Sequence, residues 1–120
     1  MTALVATTHG VYEIDVETDE VLGLDADATV QPRSADRAGD LMVVLLEGRP
    51  PLRISHDGGD TWEDAGGGLP AGRAVAVHPA DEGLVLYAGR NRLYISHDGG
   101  RFWQALVVEL PEISAVGWSV

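Results

Sequence analysis

The chain has 120 residues, 19 acidic and 8 basic, and its net charge is −11 at pH 7. This acidity argues against nucleic-acid binding and against docking on an anionic membrane, because both need a basic surface. The absence of cysteine excludes disulfides and thiolate metal sites. The apolar runs are too short to span a bilayer and the first residues lack signal-peptide features, which predicts a soluble, cytoplasmic protein.

Short runs of Val, Leu, Ile, Tyr and Trp alternate with Gly, Pro and Asp-Gly turn signals along the whole chain. No long segment places apolar residues at the 3.6-residue spacing of a helix. This pattern predicts an all-β protein.

An internal repeat organises these strands. Residues 54–59 recur unchanged as residues 95–100, and Trp62 and Trp103 keep the same offset of 41 positions. A weaker copy opens the chain, where residues 17–20 form the turn without an Asp-Gly-Gly sequence. Three units in 120 residues give a period of about 40, which is typical of four-stranded β-propeller blades.

The first unit has only three predicted strands, without an innermost one, and a spare strand ends the chain. The second unit, residues 28–64, and the third, residues 73–106, are each predicted to have four. In chain order the predicted strands are 2–8, 10–16 and 20–24; then 28–32, 41–47, 51–56 and 60–64; then 73–78, 84–88, 92–97 and 101–106; and finally 113–120.

Residues 55–62, Ser-His-Asp-Gly-Gly-Asp-Thr-Trp, resemble the Asp-box, Ser-x-Asp-x-Gly-x-Thr-Trp. That motif marks the BNR repeats of sialidases, sortilin-type receptors, xyloglucanase-like glycosidases and photosystem assembly factors. Residues 96–103 match it too, except that Phe102 replaces the Thr. The resemblance implies propeller blades in which the box residues hold hairpin turns and do no chemistry. These structural residues are Ser55, Asp57, Gly59, Trp62, Ser96, Asp98, Gly100 and Trp103.

Three blades cannot close a propeller, because closed rings have four to eight. We therefore expect a homodimer in which two chains form one six-bladed ring. Followed in order around the ring, strand 113–120 lies beyond the third blade. It is expected to pair with residues 2–8 of the partner chain, exchanged under two-fold symmetry.

The resemblance favours a non-enzymatic propeller that acts as a binding or assembly scaffold and needs no cofactor. Apart from a second copy of the chain, the resemblance leaves an unknown protein or a glycan open as the partner. The alternative is a glycosidase, sialidase-like or glycan-binding propeller. An enzyme of that kind needs two carboxyl groups about 5–10 Å apart near the central channel.

A set of polar residues falls on the loops that join the second and third strands of the units. In an acidic protein, arginines gathered there are a candidate anion-binding site. The alternative is that they pair with nearby carboxylates such as Glu109 and Glu112. No metal site is predicted. The candidate ligand-binding residues are His9, Arg49, Arg90, Asn91 and Arg92.

Overall fold

The computed structural model of the chain describes residues 1–119 and contains twelve β-strands, with no helix among those residues. The predicted all-β class is therefore confirmed. In chain order the strands are β1 (Thr2–Thr7), β2 (Gly10–Asp15), β3 (Glu20–Asp25), β4 (Ala35–Ala38), β5 (Leu41–Leu45), β6 (Leu52–Ser55), β7 (Glu63–Ala65), β8 (Ala74–His78), β9 (Asp81–Ala88), β10 (Leu93–Ser96), β11 (Gln104–Ala105) and β12 (Ile113–Ser119).

The strands form three four-stranded antiparallel sheets. Sheet 2 contains β4 to β7 and sheet 3 contains β8 to β11, each in chain order. Neighbours in sequence are neighbours in space here because short turns connect antiparallel strands directly. Sheet 1 has the order β12–β1–β2–β3, so its first strand comes from the far end of the chain.

The C-terminal strand corrects one expectation. β12 pairs with β1 of its own chain, with Thr2 opposite Ser119 and Val5 opposite Val116. This strand therefore reaches the first sheet of its own chain, whereas the order of the blades predicted pairing with a partner chain. Residues 26–34 explain why, since a connection of nine residues can span up to about 30 Å and links sheet 1 back to sheet 2. Val120, included in the predicted strand, lies outside the described residues.

The first strand of sheet 2 was predicted at residues 28–32, but it lies at Ala35–Ala38. The hydrogen bonds to β8 decide this position. The carbonyl of Arg33 accepts the N–H of Val75 at 3.0 Å, and a carboxylate oxygen of Asp36 accepts the N–H of Val77 at 2.8 Å. Residues 28–32 belong to the connection instead, where Pro32 offers no N–H to a ladder.

The three sheets form an arc with sheet 3 in the middle. All five residues of β8 are buried, and this strand packs on β12 to one side and on β4 to the other. One apolar cluster joins sheets 1 and 3, and a second joins sheets 3 and 2. Within residues 1–119, sheets 1 and 2 make no comparable contact. Each of these two sheets therefore has one face on which no other sheet of the chain packs, the one turned away from sheet 3, and this is called its uncovered face.

Candidate functional site

The two Asp-Gly-Gly turns, residues 55–62 and 96–103, are closed by side chains of the turn itself. In the first, the hydroxyl of Ser55 accepts the N–H of Gly59 and donates to the carboxylate of Asp57, both at 2.8 Å. That carboxylate accepts the N–H of Thr61 at 2.9 Å and also its hydroxyl. The indole N–H of Trp62 donates to the carbonyl of Gly59 at 3.1 Å.

The second turn repeats these bonds. Ser96 accepts the N–H of Gly100 and donates to Asp98, again at 2.8 Å, and Trp103 donates to the carbonyl of Gly100 at 3.0 Å. Asp98 accepts the N–H of Phe102 at 3.0 Å, so the absence of a threonine costs one side-chain bond only. Gly100 has a φ of +91°, a conformation that glycine adopts freely.

Hydrogen bonding changes the acidity of these turn carboxyls. Bonds from the Thr61 hydroxyl and N–H, and from Ser55, lower the pKa of Asp57 from 3.8 to about 2. A backbone bond from Phe102 is the main reason that the pKa of Asp98 is also lowered. Both carboxylates are therefore held ionised within their turns, which is opposite to the raised pKa of a general acid.

This shift predicts a pH-dependent role for Asp57. A lowered native pKa adds stability above pH 3.8, and that stability is lost as the pH falls from about 4 to 2. We expect Asp57→Asn to melt below the wild type at pH 6, with the difference disappearing near pH 2. Melting curves followed by circular dichroism test this. Asp60→Asn, a charge removal in the same turn, is the control, and an equal pH-dependent deficit there would contradict the assignment.

The first Asp-Gly-Gly turn also contacts the neighbouring sheet. His56 reaches the carbonyl of Gly99 with Nε2 at 3.1 Å, and its Nδ1 lies 3.3 Å from Glu63. Gly100 lies directly against Ile54 of sheet 2. The histidine is thus a contact between adjacent turns, while His97 is exposed.

The corresponding turn of sheet 1, residues 17–20, is held by different hydrogen bonds. Asp19 has a φ of +59° and accepts the N–H groups of Val107 and Val108, in the connection that follows sheet 3. The degenerate first repeat therefore also joins its sheet to the next one.

The predicted ligand-binding residues lie at loops, but the structure does not gather them as free cations. Arg92 pairs with Glu109 at 2.9 Å, and Arg90 pairs at 3.3 Å with Glu112, which also holds Arg73 at 3.2 Å. Glu109 and Glu112 are the two carboxylates that the sequence offered as alternative partners for these arginines. Asn91 accepts the N–H of Leu110 through its backbone carbonyl.

The other two candidates are placed separately. Arg49 donates to the carbonyl of Leu69 beside the phenol of Tyr87, whose pKa is raised to about 12 by burial. His9 is exposed in the β1–β2 turn, where its backbone N–H donates to the hydroxyl of Thr7 at 3.1 Å. The side chains of the three arginines thus have local partners, whereas the bonds described for Asn91 and His9 are made by their backbone groups.

A cavity of about 410 Å³ lies where the first strands of the three sheets, β4, β8 and β12, come together. Its walls are apolar at Val77, Val116 and Trp118, and the indole of Trp118 donates to the carbonyl of Ala76 at 3.2 Å. Its polar side holds Arg33, Asp36 and Arg37.

Asp36 is the one carboxylate among the described residues that line this cavity. It pairs with Arg33 at 3.2 Å and accepts the N–H of Val77, so its oxygens are occupied. The guanidinium of Arg37 donates to the carbonyl of Gly39 at 3.0 Å. This arrangement can attract an anion, but it lacks the paired carboxyl groups of a glycosidase.

Sequence reasoning missed this cavity because residues 28–38 match neither of the other repeats. The one available signal was the pair of arginines flanking Asp36 in a predominantly acidic half of the chain.

Among the side chains that the structure describes, no cluster of three or more His, Asp or Glu is suited to hold a metal ion. Residues 1–119 also contain no helix able to cross a membrane. In comparisons with known proteins, no family model, no curated protein and no solved structure matches this chain.

Proposed function

We propose that the chain is a non-enzymatic Asp-box β-propeller that serves as a binding or assembly scaffold, and that two chains form its complete ring. One observation carries this proposal: three repeated four-stranded sheets form an arc whose two end faces are uncovered. An arc of that kind is completed by adding more sheets to its ends.

A second copy is the simplest source of those sheets. Two chains supply six sheets, which lies within the usual range of four to eight blades, whereas three chains supply nine. Two-fold symmetry places sheet 1 of each chain against sheet 2 of the other. The same contact therefore occurs twice and buries the uncovered faces of both chains.

The hydrogen bonds and ion pairs of the polar side chains favour a scaffold rather than an enzyme. The carboxylates of Asp57 and Asp98 are bonded inside their own turns, and Arg90 and Arg92 are bound to glutamates. Glycoside hydrolysis needs two carboxyl groups at a set separation on either side of the substrate. Asp36 alone offers a carboxylate to the cavity among its described lining residues.

The assembly is tested by mass in solution. We expect light scattering after size exclusion to give twice the 12.7 kDa of one chain at micromolar concentration. A folded species with the mass of a single chain across the accessible concentrations would overturn the proposed ring.

The same sample can show which chain supplies β12. The double variant Thr2→Cys/Ser119→Cys places the only two cysteines at directly opposite positions of β1 and β12. If β12 stays in its own chain, oxidation gives a non-reducing band at 12.7 kDa. If the strand is exchanged between chains, the band has twice that mass. Thr2→Cys alone controls for random cross-linking.

A further inference from the structure

The uncovered face of sheet 2 combines an apolar centre with arginines. Register places Val44 opposite both Ala35 and Arg53, and Met42 opposite Arg37, so these side chains share one face. The alternate residues Val43 and Ile54 are buried against sheet 3. Both arginines are exposed, and Arg53 makes only a loose ion pair of 3.8 Å with Asp64.

The uncovered face of sheet 1 has the opposite charge. Leu4 lies opposite Glu13, Thr2 lies opposite Asp15, and Asp15 lies opposite Glu20. Residues 1–27 include seven acidic side chains and no basic one. Glu13 and Glu20 are exposed. Part of this face is already occupied by the connection, since Val30 lies over Gly117.

The two faces match at their second and third strands, whereas both fourth strands are acidic, with Glu20 in sheet 1 and Asp64 in sheet 2. The second strand of each sheet presents apolar side chains, Leu4 in sheet 1 and both Met42 and Val44 in sheet 2. The third strand presents opposite charges, Glu13 in sheet 1 and Arg53 in sheet 2. Stacked blades place strands of equal rank against one another, so apolar rows would meet and unlike charges would pair.

We infer that sheet 1 of one chain docks on sheet 2 of a second copy through these two faces, with Glu13 of one chain pairing with Arg53 of the other. This inference rests on the proposed two-chain ring and names the surfaces that close it. Opposite electrostatic potentials meet when sheet 1 docks on sheet 2. Contact between two copies of sheet 1 would bring two acidic faces together and is therefore unfavourable.

The size of the faces sets an upper limit on the contact. A four-stranded sheet is about 19 Å wide and five residues span about 17 Å, so one whole face covers roughly 320 Å². Two contacts, with both partners counted, bury at most roughly 1,300 Å², and less where the connection already covers sheet 1, which puts the interface at the lower end of the range for specific complexes.

Charge reversal tests the pairing. We expect Arg53→Glu alone and Glu13→Arg alone to raise the dimer dissociation constant at least tenfold. Combining both changes in one chain restores opposite charges at each contact, so the dissociation constant should return to within about threefold of wild type. Analytical ultracentrifugation measures all four proteins, and circular dichroism shows that each is folded.

Matched controls separate this pairing from net charge. Arg101→Glu makes the same change of charge as Arg53→Glu, but in the second Asp-Gly-Gly turn, where Arg101 contacts Asp98. Glu47→Arg is the control for Glu13→Arg. Both controls should leave the dimer unchanged. A wild-type dimer with no response to the single reversals, or without rescue in the double variant, would overturn this inference alone. A monomeric wild type would overturn the ring itself.

Discussion

Deletion of residues 113–120 is expected to leave a chain that does not fold. In β12, Ile113 and Val116 are fully buried between sheets 1 and 3. Burial of each large aliphatic side chain contributes about 1.5–3 kcal/mol, and the deletion also exposes the β1 and β8 residues they cover. The total loss is roughly 5 kcal/mol or more, comparable with the entire stability of a small domain. Circular dichroism and one-dimensional NMR would show the loss of structure.

Addition of the missing strand provides the control. A synthetic peptide of residues 113–120 should bind the shortened chain and restore its β-sheet spectrum, since β1 still offers the full register of hydrogen-bonding partners. A peptide with Ile113 and Val116 both replaced by Asp should not do so. Cooperative unfolding of the shortened chain without any peptide would contradict the importance assigned to β12.

Gly100→Ala is expected to destabilise the contact between sheets 2 and 3 strongly. Its φ of +91° is unfavourable for alanine, which costs about 1–3 kcal/mol. The added methyl group would also overlap Ile54, and overpacking of this kind typically costs about 1–3 kcal/mol. Together these effects should lower Tm by roughly 10 °C or more.

Two further variants separate the causes. Gly67→Ala has open space around the new methyl group and should change Tm little. Adding Ile54→Val to Gly100→Ala removes the methyl group that is overlapped and should recover part of the lost Tm. An unchanged Tm in Gly100→Ala would show that the contact between sheets 2 and 3 at this turn is loose.

Most strands could be predicted because the repeated turns fix their neighbours. Residues 54–59 and 95–100 each end one strand and begin a tight turn, so the strands on either side follow from the alternation of apolar residues. The bonds of Ser55 and Asp57 depend only on residues within four positions of each other. Hydrogen bonds between residues this close along the chain can be predicted from the sequence.

The sequence predictions that were wrong concern strands whose position or partner is set by contacts with distant segments of the chain. β4 is placed by bonds from Val75 and Val77, which lie about 40 positions away. The partner of β12 depends on how far residues 26–34 can reach. The cavity residues Arg33 and Arg37 belong to residues 28–38, which match neither of the other repeats. For the arginine loops, the sequence left an anion site and pairing with Glu109 and Glu112 as alternatives, and the structure shows the pairing.

The pairing of Thr2 with Ser119 also means that the two chain ends lie side by side on one sheet. A short peptide could therefore join them, and new ends could be opened within residues 26–34. The permuted chain would begin at sheet 2, continue through sheet 3 and finish with sheet 1 as β12, β1, β2 and β3. Every sheet would then come from one uninterrupted stretch of sequence, and two such chains could be fused in tandem as a single gene encoding six sheets.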